Sequence, residues 1–512
     1  MSNPIVVGPV LGFRGAKAGR WYTSALVVVQ GNANPPQLTV TAGGETWAGA
    51  EAVLLKTHRD HLVWRLDWYV TQTNTEQAVE YLINYGPTYS YVVPERDKPL
   101  RICYGSCFGV HTLQDVNKFR NKNAMWKVLR RVHQGKPYHL FFLGGDQVYA
   151  DQVWEKVAPL RNWLGKKLKK RLTAEFTSAM EAQVSQFYFD LYLQMWSQKL
   201  PAALISQIPT LMMWDDHDIF DGWGSYTPAQ QDCAVFKGIY AQAREHFRVF
   251  QLQASQPADL GEGVLLGQEG FTYGHRLGEV ALVALDLRSE RTQNQVMAPA
   301  TYNRLHNWLA AQLPENLNLD QPAKGIKHLL VMAGIPIVNA DLTLLETVLN
   351  LEPGQQRMED DLKDQWLSQS HQQERLRLIQ SLFSFSAAAG CRVTIVSGDA
   401  HVAFMGYIQS DNETNISASA NLINQLTSSA MVNLPPPALV VYMMEKLLAG
   451  KTEKIAAGIM ARLEKFPGTD RRIISARNWL SLTLDEEPNL RAEWYVEGEE
   501  QPFTKIIHPL RK

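Results

Sequence analysis

A short apolar run that stops at two glycines and then turns acidic sets the terms for this chain. Residues 138–143 (Tyr-His-Leu-Phe-Phe-Leu) are nearly all apolar, without alternation, and read as a strand buried on both faces. Gly144-Gly145 ends the run, and Asp146, Tyr149 and Asp151 follow at once. Glycine lets backbone come close to a bound group, and hard oxygen donors at a strand end suit a metal ion. A single such ending is also what a turn or a helix cap looks like, since Asp serves in both. Recurrence separates the two readings.

The pattern recurs along residues 100–401. The strand at 101–105 runs into Ser106-Cys107-Phe108-Gly109. The strand at 208–214 runs into Asp215-Asp216-His217-Asp218, with Asp221 just beyond. A strand at 279–287 carries Asp286 and leads to Arg288 and Arg291, and one at 391–396 leads to Ser397-Gly398-Asp399-Ala400-His401. The strand at 327–333 ends instead in Gly334-Ile335-Pro336, with no titratable group. Helical patterns at 116–133, 157–205, 229–250, 302–313 and 373–389 separate these strands, which defines an α/β core. In open α/β sheets ligands lie off the C-terminal strand ends, so endings rich in chemistry converge on one site.

Carboxylates, imidazole, a thiolate and a phenolate are more donors than one ion uses. Two ions sharing a carboxylate, about 3.5–4 Å apart, are a common device for activating water against a phosphoryl centre. Cysteine and tyrosine as anionic donors favour a trivalent ion such as Fe³⁺ at one site. The oxygen-rich remainder suits Ca²⁺, with Mn²⁺ or Mg²⁺ as alternatives. Among signatures of other chemistry, a Walker loop, a G-x-S-x-G elbow and a dinucleotide fingerprint are all missing.

The totals bound the rest. The chain has 512 residues, 45% hydrophobic and 20% charged, which suggests a soluble globular protein of two or three units. With 50 basic and 51 acidic residues, no whole-molecule field points to nucleic acid or an anionic membrane. No apolar stretch approaches the roughly 20 residues of a membrane span, and no signal-like segment opens the sequence, so a cytoplasmic location with reduced thiols is expected. Residues 1–98 hold β-type runs at 21–30, 37–41, 61–70 and 78–93 and read as a small β-sandwich domain ahead of a catalytic domain at 99–512. A carbohydrate- or partner-binding module with stacking tryptophans is the other reading of that stretch. The basic run at 165–171 reads as a solvated helix face. Residues 338–370 form a long polar insertion, a candidate lid containing Trp366. The apolar segment at 439–448 reads as core helix, and runs at 478–484 and 490–496 alternate across 485–489 as a hairpin.

In order, Gly105-Ser106-Cys107, Gly144-Gly145-Asp146-Gln147-Val148-Tyr149-Ala150-Asp151, Trp214-Asp215-Asp216-His217-Asp218, Leu285-Asp286-Leu287-Arg288 and Ser397-Gly398-Asp399-Ala400-His401 resemble the PhoD-type alkaline phosphatases. These phosphatases and phosphodiesterases belong to the calcineurin-like metallophosphoesterase superfamily. The resemblance covers about residues 100–430, including Gln425-Leu-Thr-Ser-Ser429. It implies a four-layer α/β/β/α sandwich with the metals between the edges of two sheets. Asp146 then stands as the bridging carboxylate, and Cys107 and Tyr149 as ligands of the ferric ion. Asp216 takes the place of the superfamily's usual Asn, and Asp399 and His401 that of its last Gly-His-x-His pair. The resemblance further implies that His217 is the general acid and Arg288 a phosphate clamp, with Asp151, Asp215, Asp218 and Asp221 open between support of the ligands and purely structural roles.

Two departures bear on the metals. Ser-Cys-Phe stands where the wider superfamily opens with Asp-x-His, as in PhoD, and the strand ending at Gly334-Ile335-Pro336 supplies no His, which favours Ca²⁺ over Zn²⁺ or Mn²⁺. The expected activity is hydrolysis of a phosphate ester, diester or monoester, by a metal-bound hydroxide at a binuclear site. The alternatives are a phospholipase-type diesterase on the same fold and an inactive scaffold.

Overall fold

The computed structural model describes residues 5–510 apart from 32–33, 97, 99, 111–120, 261–268, 314–324, 339–370, 399–400, 412–419 and 449. The candidate lid and Asp399 therefore lie outside the described residues. In chain order the strands relevant to the site begin with β1 (Ile5–Lys17), β2 (Arg20–Gln30), β3 (Leu38–Ala42), β4 (Glu45–Ala48), β5 (Val53–His58), β6 (His61–Thr71), β7 (Gln77–Ile83) and β8 (Thr88–Val93). They continue with β9 (Arg101–Gly105), β10 (Leu140–Gly144), β11 (Thr210–Met213), β12 (Tyr273–Leu277), β13 (Val280–Leu285), β14 (His328–Ala333), β15 (Arg392–Ser397), β16 (Ala403–Ser410) and β17 (Leu422–Thr427). Beyond these come β18 (Thr452–Ala456), β19 (Ile459–Glu464), β20 (Ile473–Ile474), β21 (Asn478–Leu484), β22 (Leu490–Val496) and β23 (Phe503–Ile507).

Two large sheets carry the site. The first runs β23-β22-β21-β9-β10-β11-β1-β2-β6-β5, and the second runs β12-β13-β14-β15-β17-β16-β19-β18. Within the first, β9, β10 and β11 are parallel neighbours. Within the second, β13, β14 and β15 are parallel neighbours. The apolar strands expected from their unbroken composition are the central ones, where both faces are covered.

Alternation along each strand sorts the side chains into separate cores. Ile102, Tyr104, Phe142 and Met213 of the first sheet join Leu282, Leu330, Met332 and Val396 of the second in one buried cluster. The intervening Cys103, Phe141, Leu143 and Met212 point the other way, against Trp126 and Leu129 of the helix Ala124–Gly135 and Phe189 and Tyr192 of the helix Ser178–Trp196. On the far side Val283, Leu285, Leu329 and Val331 meet Leu305 and Leu309 of the helix Pro299–Ala310 and Leu378 and Leu382 of the helix Gln372–Ala389. A period of two in the strands is what lets each sheet serve two cores.

The N-terminal stretch is not a free-standing small sandwich. β3, β4, β7 and β8 do form their own sheet in the order β4-β3-β7-β8, but β1, β2, β6 and β5 extend the first large sheet. β1 pairs parallel with β11 and antiparallel with β2. Sequence reading passes over β1 because Gly8, Pro9, Gly12 and Gly15 interrupt its pattern. The glycines mark close approach and bulging, not a loop. A Cβ on Gly12 would lie 2.9 Å from Ser24 Oγ, and the register shifts between Phe13 and Gly15. β12, an antiparallel neighbour of β13, is likewise absent from the sequence reading.

The hairpin at the C-terminal end is where its alternation places it, β21 and β22 pairing from Asn478↔Val496 to Leu484↔Leu490. It adds to the first sheet beside β9. Trp494 on β22 is fully buried, and its Nε1 donates to the Thr427 carbonyl at 3.0 Å on β17 of the second sheet. Among the described residues no helix is long and apolar enough to cross a membrane. Trp494→Ala removes a large buried ring and this tie between sheets, and is expected to cost about 3–5 kcal/mol in urea unfolding. A loss below about 1 kcal/mol would contradict the packing described.

Candidate metal centre

The site forms where the C-terminal ends of β9, β10 and β11 meet those of β13 and β15. Asp146 follows the Gly144-Gly145 stop on β10 with a left-handed backbone, φ 57°. Cys107, φ 55°, and His401, φ 52°, share that conformation, which side chains other than Gly and Asn adopt rarely and which concentrates at functional sites. Gly145 is held for a steric reason. Its φ is 115°, and a Cβ there would lie 2.7 Å from the Asp215 Cβ.

One buried carboxylate fixes the turn. Asp218 accepts from the backbone N–H of Asp146 at 2.8 Å, Val148 at 3.2 Å and Asp215 at 2.9 Å, and from Gln251 Nε2 at 3.0 Å. Burial pushes its pKa up to about 7 against the pull of those donors. The loops after β9 and β10 are zipped by Cys107 N donating to Gly145 O and Phe108 N to Asp146 O. The loop after β17 closes the third side, with Met431 N donating to Ser106 O and Val432 N to Cys107 O.

Two donor groups result, each with one ligand atom per residue and all atoms within 4.8 Å of one another: Cys107, Asp146 and His401, and Asp146, Asp216 and His217. Asp146 belongs to both. Its Oδ2 takes a hydrogen bond from Cys107 Sγ at 3.3 Å, while its Oδ1 is buried and meets no hydrogen-bond donor among the described residues. An unsatisfied carboxylate oxygen in such a place is costly unless a cation faces it. A thiol, an imidazole and carboxylates around that oxygen fit a metal ion, so the residues present suit the ions that the resemblance implies. Burial, with the neighbouring Asp215, Asp216 and Asp218 charges, pushes the Asp146 carboxyl well above the usual range, and His217 opposes them.

The surrounding groups hold the donors in place. Ser429 Oγ donates to Cys107 Sγ at 3.1 Å. The Tyr149 hydroxyl accepts from Asn433 Nδ2 at 3.0 Å, and burial beside Cys107 and Asp146 raises its pKa well above that of a free phenol. The Tyr149 ring stacks on His217 at 4.6 Å. His217 Nδ1 lies 3.0 Å from Asp151 Oδ1, which also accepts from Asp221 N at 2.8 Å. Burial alone would lower the His217 pKa. The carboxylates of Asp151, Asp216 and Asp146 outweigh it and raise the pKa well above the usual imidazole value.

The pattern that defines PhoD-related phosphatases matches residues 88–352 and 340–452. The chain belongs to the PhoD-related phosphatase family. An uncharacterized protein of Saccharomyces cerevisiae is 27% identical over 535 residues, spanning 86% of this chain and 75% of its own. A solved structure of PhoD superposes with a TM-score of 0.55 over 99% of this chain and 91% of its own, at 12% identity. At that identity the likeness is one of fold.

Within this PhoD-related phosphatase, the structure brings together Cys107, Asp146, Asp216, His217 and His401, with Tyr149 stacked alongside. His217, read from sequence as an acid and not a ligand, sits within one of the two donor groups. Arg288, which the resemblance makes a phosphate clamp, lies buried. It is 1% exposed, its Nε donates to Asp215 Oδ1, and its Nη1 donates to the Trp223 carbonyl at 3.3 Å. Nothing near Asn433 in the chain marks it, and only the fold carries it to Tyr149. Gly109 tests Tyr149 directly, since a Cβ there would collide with the phenol ring. Gly109→Ala is expected to displace the ring and lower the metal content of the loaded protein with circular dichroism unchanged. Unaltered metal content would argue against Tyr149 as a ligand.

Proposed function

We propose that this PhoD-related phosphatase hydrolyses phosphate diesters and monoesters at a two-ion centre that shares Asp146. The observation that carries the reading is the buried Asp146 carboxylate, common to both donor groups and with one oxygen unsatisfied among the described residues. Cys107, His401 and Tyr149 would hold one ion, with Fe³⁺ favoured by the thiolate and phenolate. Asp216, with Asp399 from outside the described residues, would serve the other, with Ca²⁺ favoured by oxygen donors. When bound, the ions supply an activated water and neutralise charge that develops on the phosphoryl oxygens.

The protein's own groups do the rest. Asp151 engages His217 through Nδ1, and Nε2 would be the nitrogen that hands a proton to the leaving oxygen. Asp151, hydrogen-bonded at Nδ1, favours the protonated form this role requires. Tyr149 stacked on one face of the imidazole restricts its rotation. The three buried clusters, two of them shared with helices on opposite sides of the sheets, support the four-layer α/β/β/α arrangement of the family.

A second reading has one specific observation in its favour. The segment at 439–448 is not wholly core: Val440 and Met444 are buried, but Leu439 is 69% and Tyr442 60% exposed. They lie a few residues beyond Asn433, across Pro435–Pro437, where an apolar substrate such as a phospholipid could be met.

The test is hydrolysis of bis(p-nitrophenyl) phosphate by protein loaded with Fe³⁺ and Ca²⁺, with phospholipid vesicles as the competing substrate. Turnover is expected in the wild type and loss below detection in Asp146→Asn. His217→Ala is expected to lower the rate on the order of 10²–10⁴-fold while keeping its metal, as loss of a general acid does. A His217→Ala protein stripped of metal would make His217 a ligand. Wild-type protein without turnover on either substrate would refute the hydrolase reading.

A further inference from the structure

Arg288 reaches into the carboxylate cluster from the second sheet. It follows β13, and the turn that delivers it is fixed by Asp286. That carboxylate accepts from Arg288 N at 3.0 Å, Ser289 N at 2.9 Å, Phe271 N at 2.7 Å and Trp214 Nε1 at 2.9 Å. Trp214 is the residue before Asp215, so the ends of β11 and β13 are locked before the guanidinium is placed. Trp223 adds a reciprocal clasp, its Nε1 donating to the Arg288 carbonyl at 3.2 Å and its own carbonyl accepting from Nη1.

The guanidinium then spans two acids. Nε bonds Asp215 Oδ1, and Nη2 lies 3.4 Å from Asp216 Oδ1. Asp216 Oδ2 accepts from Gly222 N at 2.8 Å. Both oxygens of Asp216 are thus addressed from the protein side, one by a cation and one by a backbone N–H. That combination fixes where the carboxylate plane lies. Asp215 is confined as well, since a Cβ on Gly334 would lie 3.0 Å from its carboxylate. An amide at 216 offers one acceptor oxygen where two donors converge, so its NH₂ would face either Gly222 N–H or the guanidinium.

We propose that Arg288 is a positioning residue that fixes the Asp216 carboxylate as a metal ligand, a role that rests on the two-ion reading above. It acts through Asp216, not on the substrate. The planar fork reaches Asp215, Asp216 and the Trp223 carbonyl at once, which a lysine ammonium cannot do. Groups that orient a ligand typically alter metal affinity 10- to 100-fold when removed.

The experiment is calorimetric titration with Mn²⁺, with the electron paramagnetic resonance spectrum of the bound ion, on wild type, Arg288→Met, Asp216→Asn and the double variant. Arg288→Met is expected to weaken Mn²⁺ binding about 10- to 100-fold and change the spectrum. In the Asp216→Asn background the same change is expected to cause no further loss, because the ligand it orients has gone. Arg288→Lys, which keeps the charge, is expected to fall between wild type and Arg288→Met, and carries the test if the methionine variant does not fold. Wild-type affinity in Arg288→Met with only a lower melting temperature would reduce Arg288 to a structural tie and overturn the proposal. Losses that simply add in the double variant would overturn it too. A wild type that binds neither Mn²⁺ nor, in a parallel titration, Ca²⁺ refutes the two-ion reading itself, which separates its failure from that of the Arg288 role.

Discussion

Burying the Asp146 carboxylate is the constraint on which the rest of this site depends. A carboxylate taken out of water without partners is strongly unfavourable. Here Asp215, Asp216 and Asp218 crowd the same space, and each raises the cost of ionising it. Folding nevertheless holds Asp146 there, in a left-handed turn stapled by Asp218 and cleared by Gly145. Such an arrangement makes sense when cations complete it. It also explains why the neighbouring groups are so closely tied, since a misplaced donor would leave buried charge unanswered.

Ties between the two sheets follow from the same requirement. The side chains gathered at the site come from both: Cys107, Asp146, Asp216 and His217 from the first, His401 from the second. Their relative positions hold only if the sheets cannot slide. Trp214 to Asp286, Arg288 to Asp215 and Trp494 to the Thr427 carbonyl each cross from one sheet to the other. The hydrogen bonds of residues 428–433 to the loop after β9 add a fourth crossing, and they bring Ser429 and Asn433 to Cys107 and Tyr149.

Much of the α/β core was legible because its strands are short, unbroken apolar runs, and because helical stretches separate them. β10, β11 and β15 fall where composition puts them. The left-handed ends at Cys107 and Asp146 coincide with the residues that chemistry singles out. What escaped was set by contacts distant in sequence. β1 is disguised by glycines whose purpose is close approach to β2, and the N-terminal strands give no local sign that they will extend the catalytic sheet. For Arg288, only the fold shows that Asp215 and Asp216 lie opposite it and that it is buried.

The sequence by itself determined which atoms are available: a thiol, a phenol, imidazoles and carboxylates at successive strand ends, in an order that marks the PhoD-related family. Those follow from side-chain chemistry and from a period of two or 3.6, both readable along the chain. Tertiary structure decided which of those atoms meet. That Asp146 is shared, that Asp151 holds His217, that Asp218 pins backbone and that Arg288 faces inward are consequences of two sheets packing face to face. Distances across that interface are set by the whole core, which no local stretch of sequence encodes.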